Sequence, residues 1–313
     1  MAAPVVPSAE KALVPLLTPC YPDGMAEIDP TAPSPHEQNR RSWNAVTPAH
    51  NSHKADQAVF LRDGGSTLFS EELELLGDID RARLLHLQCN CGQDSLSLVS
   101  RGAVVTGVDI SDAAIEFARK LSLDAGIEAQ FERADVFDWL DAAAARNETF
   151  DRVFSSYGTI GWLSDLPRWA RGVAKVLAPN GRLVLLEFHP LCWSFDREGR
   201  VIEPYFIDEP IVERGGVNDY VAGSGTGLVP MPRAEGVEGF VNPEPAVSFQ
   251  YTVAQTVQAI ADAGLCVETL REYPYANGCV LFDGMEPLPG RRFGMPPGVP
   301  AMPLMLGLVA AHR

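Results

Sequence analysis

Short apolar runs alternate with amphipathic stretches between about residues 83 and 188. The amphipathic stretches place apolar side chains at helical spacing, as Ile115, Ala118 and Leu121 do. Strands that alternate with helices in this way predict βαβ units and a buried parallel sheet. The predicted strands are residues 84–87, 104–108, a strand around Phe131 that ends near Asp135, 150–154 and 183–188.

The alternation stops after Pro190. Residues 191–250 are rich in Gly, Pro and aromatic side chains. The rhythm then resumes with a predicted helix over 253–263, a strand over 267–272 and a terminal strand over 304–311. The pattern therefore predicts a doubly wound α/β sheet with a lid inserted after the fifth strand.

Prolines recur through residues 1–35, which disfavours a helix or a central strand there. We expect a leader that is disordered or loosely docked. The main domain is predicted over residues 83–313, with the lid at about 191–250.

Charge narrows the class of ligand. The 313 residues include 25 Lys and Arg against 41 Asp and Glu, a net charge of −16. This charge disfavours nucleic acid and anionic membrane surfaces as partners.

No apolar run approaches the roughly 18 residues that span a bilayer. The N-terminus lacks a basic region, and Pro15 interrupts its only apolar stretch. We expect a cytoplasmic protein, monomer or homodimer, that acts on a small molecule.

The six cysteines are scattered through a long chain, so a disulfide framework is not expected. Cys89 and Cys91 are separated by one residue, which does not fit the usual zinc or redox spacing. We expect small residues in a strand-to-helix turn and no metal.

Polar residues follow each predicted strand, at the edge where an open parallel sheet binds its ligand. Asp109 follows the second strand, where a carboxylate can accept from both hydroxyls of a ribose. Asp135 follows the third strand, where it can accept from an exocyclic amine. The remaining ends carry residues 88–93, 155–158 and 187–190. Together they predict an adenosine-containing ligand.

The loop after the first predicted strand, residues 88–93, indicates which adenosine-containing ligand fits. Dinucleotides need a G-x-G-x-x-G loop so that the backbone can approach the pyrophosphate. Here only Gly92 remains, and Gln88 and Asn90 occupy glycine positions. A phosphate-free ligand such as S-adenosylmethionine fits better, and a nicotinamide oxidoreductase is disfavoured.

Ordered motifs along the chain resemble those of class I S-adenosylmethionine-dependent methyltransferases. The run Leu84-Leu85-His86-Leu87-Gln88-Cys89, preceded by Trp43-Asn44 and His50, resembles a bacterial subgroup that includes enzymes of natural-product pathways. The motifs are residues 84–93, 108–111, 133–136, 150–158 and 177–189. The resemblance covers about residues 38–313. It implies a Rossmann-like seven-stranded sheet, mostly parallel with an antiparallel last strand.

The resemblance also implies S-adenosylmethionine as cofactor and S-adenosylhomocysteine as product. A helical cap over residues 36–82 would close over the cofactor. Gly92 would pass beneath the methionine part, Asp109 would hold the ribose, and Ser155 or Ser156 would face the methionine end. Because the usual acidic residue and glycines are replaced, the ammonium end would fall partly to Gln88 or Asn90. The residues assigned to the cofactor are Trp43, Gln88, Asn90, Gly92, Asp109, Ile110, Asp135, Val136 and Ser155.

Methyl transfer from a sulfonium is an in-line displacement that needs no covalent nucleophile. A general base would be needed for an acceptor that must lose a proton. The candidates are His189, then Tyr157, then His50. Each has a structural alternative: a hydrogen-bonded histidine before Pro190, a tyrosine packed under the lid, and a surface histidine.

Aromatic side chains are frequent in and around the lid. Part of this set must be ordinary core. The rest favours a flat acceptor that is apolar or weakly cationic, such as an indole, a phenol or an aromatic amine, within specialised metabolism. The substrate-binding candidates are Trp162, Trp193, Tyr251 and Tyr275.

Two alternatives stay open at this point. One is an enzyme of the same fold that cyclises S-adenosylmethionine itself. The other is a protein that binds the cofactor without catalysis and serves a partner enzyme, which the altered glycines suggest and the aromatic lid disfavours.

Overall fold

The computed structural model describes residues 33–313. Three helices precede the sheet: α1 (Pro35–Ser52), α2 (Gln57–Arg62) and α3 (Ser70–Leu76). The alternating part consists of β1 (Arg83–Leu87), α4 (Gln93–Val99), β2 (Val104–Asp109), α5 (Asp112–Ala125), β3 (Gln130–Arg133), α6 (Val136–Ala145), β4 (Phe150–Ser156), α7 (Leu166–Val176) and β5 (Leu177–Phe188). The remaining elements are β6 (Ile211–Glu213), α8 (Tyr220–Gly223), β7 (Ala246–Ser248), α9 (Val253–Asp262), β8 (Leu265–Tyr273), β9 (Tyr275–Asn277), β10 (Glu286–Leu288), β11 (Arg292–Gly294) and β12 (Met305–His312).

The central sheet has seven strands in the order β3-β2-β1-β4-β5-β12-β8. Strands β1 to β5 pair in parallel, and β12 runs antiparallel to both β5 and β8. This confirms the predicted Rossmann-like, doubly wound α/β sheet with an antiparallel last strand. Side chains on both faces of the sheet are buried, as the near-continuous apolar runs require.

Helix α5 illustrates how local sequence fixes an element. Ser111 caps it, since its hydroxyl accepts from the backbone N–H of Ala114 at 3.1 Å. Ile115, Ala118 and Leu121 are buried on the face toward the sheet. Gly126 ends the helix in the left-handed conformation, with φ of 68°.

Two sequence boundaries need correction. Residues 1–32 of the expected leader lie outside the described residues, and Pro35 already belongs to α1, whose N-cap is Ser34. The sequence pattern predicts a helix over about residues 166–177 that stops at the turn triplet Pro179-Asn180-Gly181. In the structure β5 begins at Leu177 and includes this triplet. The pairing register between β4 and β5 shifts there, so the extended chain absorbs the turn residues as an irregularity.

The insertion after β5 contains the antiparallel pair β6 and β7 together with α8. It docks on α1 through Asn39, whose amide donates to the carbonyl of Val247 at 2.8 Å and accepts from the N–H of the same residue at 2.7 Å. A second insertion, the three-stranded sheet β10-β11-β9, separates β8 from β12 and was not anticipated from the sequence. No helix among residues 33–313 is both long and apolar enough to cross a bilayer.

We predict that Gly107→Ala destabilises the sheet. A Cβ at this position in β2 would lie 2.8 Å from Cys89 Sγ and 2.8 Å from Phe131 Cδ1. Overpacking of this kind costs about 1–3 kcal/mol of unfolding free energy, which urea denaturation would measure. Gly215→Ala is the control, because nothing lies within 4 Å of its added Cβ. Equal stability of the two variants would contradict the packing described for β2.

Candidate functional site

One cavity of about 400 Å³ lies at the carboxyl edge of strands β1 to β5. The strand ends contribute Gln88, Asp109, Asp135, Tyr157 and Glu187 to its lining. Helix α1 and the two insertions form the other walls. The cavity therefore occupies the edge at which the sequence predicted a ligand site.

The loop after β1 has the positive-φ backbone conformation that favours glycine, although it contains only one glycine. Gln88, Asn90 and Gly92 all have positive φ, at 53°, 48° and 76°. Asn90 tolerates this conformation because its side-chain oxygen accepts from the N–H of Cys91 at 2.7 Å. Gly92 does not line the cavity; a Cβ there would lie 2.7 Å from the ring of Phe131.

The side chain of Gln88 crosses from this loop to the loop after β4. Its amide nitrogen donates to the carbonyl of Thr159 at 2.8 Å. Its oxygen is buried and has no hydrogen-bond partner among residues 33–313. An orphaned acceptor in a cavity wall suits a ligand that carries hydrogen-bond donors, such as the ammonium group of S-adenosylmethionine.

Asp109 lines the cavity between the ends of β2 and β1. Its two carboxylate oxygens accept from the backbone N–H groups of Asn90 at 2.9 Å and Ser111 at 2.8 Å. Burial raises the pKa of Asp109 above its ordinary value. This carboxylate lines the cavity at the end of β2, and Ile110 lines the cavity as well.

Asp135 caps α6 and contacts His36, a residue that the sequence analysis did not single out. One carboxylate oxygen accepts from the N–H of Phe137 at 2.8 Å, and the other binds Nδ1 of His36. Burial opposes ionisation, but the contact with His36 and the backbone N–H groups of Phe137 and Asp138 together hold the pKa of Asp135 below its ordinary value. His36 also stacks on Phe137, with ring centroids 4.9 Å apart. Helix α1 thus closes the end of the cavity at Asp135 and Val136.

The two serines that end β4 differ in position. Ser155 is fully buried, donates to the hydroxyl of Thr159 at 2.8 Å and does not line the cavity. Ser156 does line it. Because alternate residues of a strand face opposite sides, only one of the pair can reach the ligand.

Glu187 organises the loop after β4. One of its carboxylate oxygens accepts from the N–H and the hydroxyl of Thr159, both at 2.6 Å, and from the N–H of Ile160 at 2.9 Å. The other oxygen accepts from the N–H of Gly158. Burial raises the pKa of Glu187. A carboxylate inside an otherwise apolar strand was the available sequence signal for this residue.

The first base candidate, His189, does not line the cavity. It caps the turn Pro190–Ser194: its Nδ1 accepts from the N–H of Leu191 at 3.2 Å, and its Nε2 contacts Glu272 at 3.1 Å. Both ring nitrogens therefore make contacts within the protein. This placement fits the alternative of a hydrogen-bonded structural histidine before Pro190.

Tyr157 and His50 both line the cavity. Tyr157 has a positive φ of 46°, and its oxygen accepts from Asn277 at 2.8 Å. Burial places the pKa of Tyr157 well above its ordinary value, so the phenol stays protonated and can donate.

His50 is 3% exposed, which corrects the expectation of a surface histidine. Its Nε2 lies 3.0 Å from the carbonyl oxygen of Asn218, so this nitrogen carries the proton and Nδ1 carries the lone pair. Burial lowers the pKa of His50 to about 4.

Aromatic side chains cover the cavity from several elements. Trp162, Trp193 and Tyr251 line it, as does Trp43 of α1, whose ring meets Trp162 edge-on at 5.7 Å. Tyr275 lies outside. Its hydroxyl donates to Glu71 at 2.8 Å, because β9 turns this ring toward α3.

The charged groups of the lining are mostly acidic. The carboxylates are Asp94, Asp109, Asp135, Glu187, Glu203 and Glu213. The cationic side chains are Lys54 and Arg291. Such a cavity favours a ligand with positive charge at its centre. No cluster of three or more potential metal ligands occurs in the described part of the chain.

We predict that Glu187→Gln lowers the unfolding free energy by about 1–3 kcal/mol. An amide in place of the carboxylate leaves at least one buried N–H of the 158–160 loop facing another donor. Urea denaturation would measure the loss. Glu268→Gln is the control, since this exposed residue forms a surface ion pair with Arg182, a type worth less than about 1 kcal/mol. If both variants unfold alike, Glu187 does not hold the loop.

Comparison with known proteins agrees with this geometry. Residues 84–181 match the family model described as methyltransferase domain. A demethylmenaquinone methyltransferase of Thermus thermophilus is 34% identical over 110 residues, which cover 34% of this chain and 48% of the relative. A ubiquinone biosynthesis O-methyltransferase of Xanthomonas euvesicatoria is 32% identical over 116 residues, 37% of this chain and 45% of the relative. The chain thus spans under half the length of these curated relatives.

The fold extends further than the sequence match. The crystal structure of an S-adenosylmethionine-dependent methyltransferase from Mesorhizobium loti matches with a TM-score of 0.52 and 21% identity, over 80% of this chain and 99% of that chain. At this identity the likeness concerns the fold. Residues 84–181 therefore match a methyltransferase domain, and the chain has the Rossmann-like fold of the Mesorhizobium loti enzyme.

Proposed function

We propose that the whole chain is a methyltransferase that moves a methyl group from S-adenosylmethionine to a small planar acceptor and releases S-adenosylhomocysteine. One observation carries this proposal. A single cavity combines the polar residues at the strand ends with an aromatic wall from α1 and the insertions. Cofactor and acceptor can therefore share one space.

The chain's own residues would act by binding, orientation and exclusion of water. Asp109 would hold the ribose, and the orphaned oxygen of Gln88 would accept from the ammonium group. S-adenosylmethionine supplies an activated methyl group on a sulfonium, whose positive charge suits the acidic lining. The aromatic wall would exclude water and align the acceptor for in-line displacement.

His50 is the strongest candidate for a general base where the acceptor must lose a proton. Its Nε2–H is fixed on the carbonyl of Asn218, which leaves the Nδ1 lone pair for the acceptor. Its low pKa keeps the ring neutral at physiological pH. Tyr157, as a protonated phenol, would orient the acceptor by donating a hydrogen bond.

The acceptor class rests on the wall and on the relatives. Trp43, Trp162, Trp193 and Tyr251 present flat apolar surfaces, which suit an indole, a phenol or an aromatic amine. Two relatives are named for demethylmenaquinone and for ubiquinone biosynthesis. We place the reaction in specialised metabolism, with no nucleic-acid or membrane partner and a monomeric or homodimeric enzyme. A cytoplasmic location suits the free thiols of the five described cysteines.

The most direct test of the activity is a screen with methyl-labelled S-adenosylmethionine against indoles, phenols and aromatic amines, read by mass spectrometry. Labelled product together with S-adenosylhomocysteine supports the proposal. Incubation with S-adenosylmethionine alone separates the alternatives: a cyclic amino acid with methylthioadenosine would indicate cyclisation. Tight binding of the cofactor with no product from any acceptor would favour a non-catalytic role.

We predict that Asp109→Ala weakens S-adenosylhomocysteine binding about 5- to 150-fold. The loss of a buried hydrogen-bonding partner costs about 1–3 kcal/mol. Isothermal titration calorimetry would measure the dissociation constant. Asp141→Ala is the control, because this exposed residue of α6 pairs with Arg168 at the surface. Unchanged affinity in Asp109→Ala would refute the ribose assignment.

We predict that His50→Gln lowers kcat for a phenolic acceptor about 10²- to 10⁴-fold, the usual contribution of a general base. The dissociation constant of S-adenosylhomocysteine should stay the same. His312→Gln, at an exposed position near the C-terminus, is the control. Loss of turnover in His189→Gln with full turnover in His50→Gln would contradict the assignment.

The pH profile gives an independent readout of the same base. A base works in its unprotonated form, and burial lowers the pKa of His50 to about 4. We therefore expect the acid limb of kcat/KM to fall near pH 4 in the free enzyme. An acid limb that disappears in His189→Gln and persists in His50→Gln would point to the other histidine.

A further inference from the structure

Lys54 lines the cavity, and its side chain has no hydrogen-bond or ion-pair partner among the described residues. It lies between α1 and α2, and its backbone forms an isolated antiparallel bridge with Arg233 of the insertion. Its backbone N–H also donates to the carbonyl of Asn51 at 3.2 Å. The side chain makes no hydrogen bond or ion pair within residues 33–313, although Asp94 and Asp219 are close enough to act on its charge.

An ammonium held in this way is costly for the protein alone. Burial lowers the pKa of Lys54, because the charged form has lost water and gained no direct partner. The chain fixes the backbone on both sides while leaving the head group free. Such an arrangement indicates a ligand that brings negative charge to this point.

The other basic side chains around the cavity either donate to groups of the protein or are neutral. The guanidinium of Arg291 donates to the carbonyls of Gly227 at 3.0 Å and Thr67 at 2.7 Å, and it stacks on Phe69 at 4.0 Å. Burial lowers the pKa values of His50 and His86 to about 4, so neither carries charge at neutral pH.

His36 is engaged as well. Its Nδ1 binds Asp135, and its Nε2 accepts from the N–H of Ser164 at 3.2 Å. Among the described residues that line the cavity, Lys54 is therefore the one cation whose donors are available to a ligand.

The position of Lys54 along the cavity follows from the strand order. Asp135 follows β3, Asp109 follows β2, and the next loop along the sheet is the one after β1. Lys54 lies beside that loop: Asn51, three residues earlier, donates to Cys91 Sγ at 3.1 Å and accepts from Gln93 at 3.1 Å. A ligand with adenine at Asp135 and ribose at Asp109 would extend its amino-acid end toward Lys54.

We propose that the Lys54 ammonium binds the carboxylate of the methionine part of S-adenosylmethionine, opposite the ammonium site at Gln88. This inference rests on the proposed function. It completes the charge match of a ligand with two positive groups and one negative group. The acidic lining receives the sulfonium, Gln88 receives the ammonium, and Lys54 receives the carboxylate.

The test compares two nucleosides that differ in the proposed contact. S-adenosylhomocysteine carries the carboxylate, and 5′-methylthioadenosine lacks the whole amino-acid end. In calorimetric titrations, Lys54→Met should weaken S-adenosylhomocysteine about 10- to 150-fold, as expected for a lost hydrogen bond to a charged group. It should leave 5′-methylthioadenosine unchanged. Lys54→Arg should lose less, and Lys175→Met, an exposed position at the end of α7, should lose nothing.

Each outcome has a distinct meaning. Unchanged affinity of Lys54→Met for S-adenosylhomocysteine would overturn the proposal, and so would an equal loss for both nucleosides, which indicates a structural effect. A raised KM for the acceptor alone would also overturn it, since Lys54 would then hold an anionic acceptor. Wild-type protein that binds neither nucleoside would contradict the proposed function itself. The melting temperature of unliganded Lys54→Met should equal or exceed that of the wild type, because an unpaired, partly buried charge is removed.

Discussion

The position of β1 between β2 and β4 is the constraint on which the rest of this site depends. The chain moves from β1 to β2 and β3 on one side, then returns to β4 and β5 on the other. The loops that leave the strands therefore diverge at β1 and open a crevice at their carboxyl ends. Asp109 and Asp135 lie along one side of it, and Tyr157 and Glu187 along the other.

A crevice open to solvent would leave the reacting groups in water. The segments that cover the crevice therefore matter as much as the strand ends that line it. We call the strand ends the floor and the covering segments the walls. These walls come from segments remote in sequence. His36 hydrogen-bonds α1 to Asp135, and Asn39 hydrogen-bonds the same helix to strand β7 of the insertion. The same contacts bring His50 and Lys54 of the cap to the cavity. The cap is thus part of the site, and its loss would remove both the base and the carboxylate contact that we propose.

The sequence predicts the floor better than the walls. Asp109 and Asp135 follow buried strands, and where a strand ends is a local property of hydrophobic pattern. The same rule placed His189 at a strand end, but it cannot tell which way a side chain points once the strand has ended, and His189 turns away to cap the next turn. Lys54 and His36 reach the cavity only through tertiary docking of α1. No local pattern marks them, whereas Glu187 is a charged residue within the apolar run 183–188.

The central claim is that this one cavity holds the cofactor across β3, β2 and β1 with its reactive end toward the aromatic wall. A crystal structure of the chain with S-adenosylhomocysteine tests it most directly. The account predicts ribose hydroxyls on Asp109, adenine beside Asp135, and the carboxylate at Lys54. A nucleoside bound outside the cavity, or in the reverse direction with its adenine at Lys54, would contradict it.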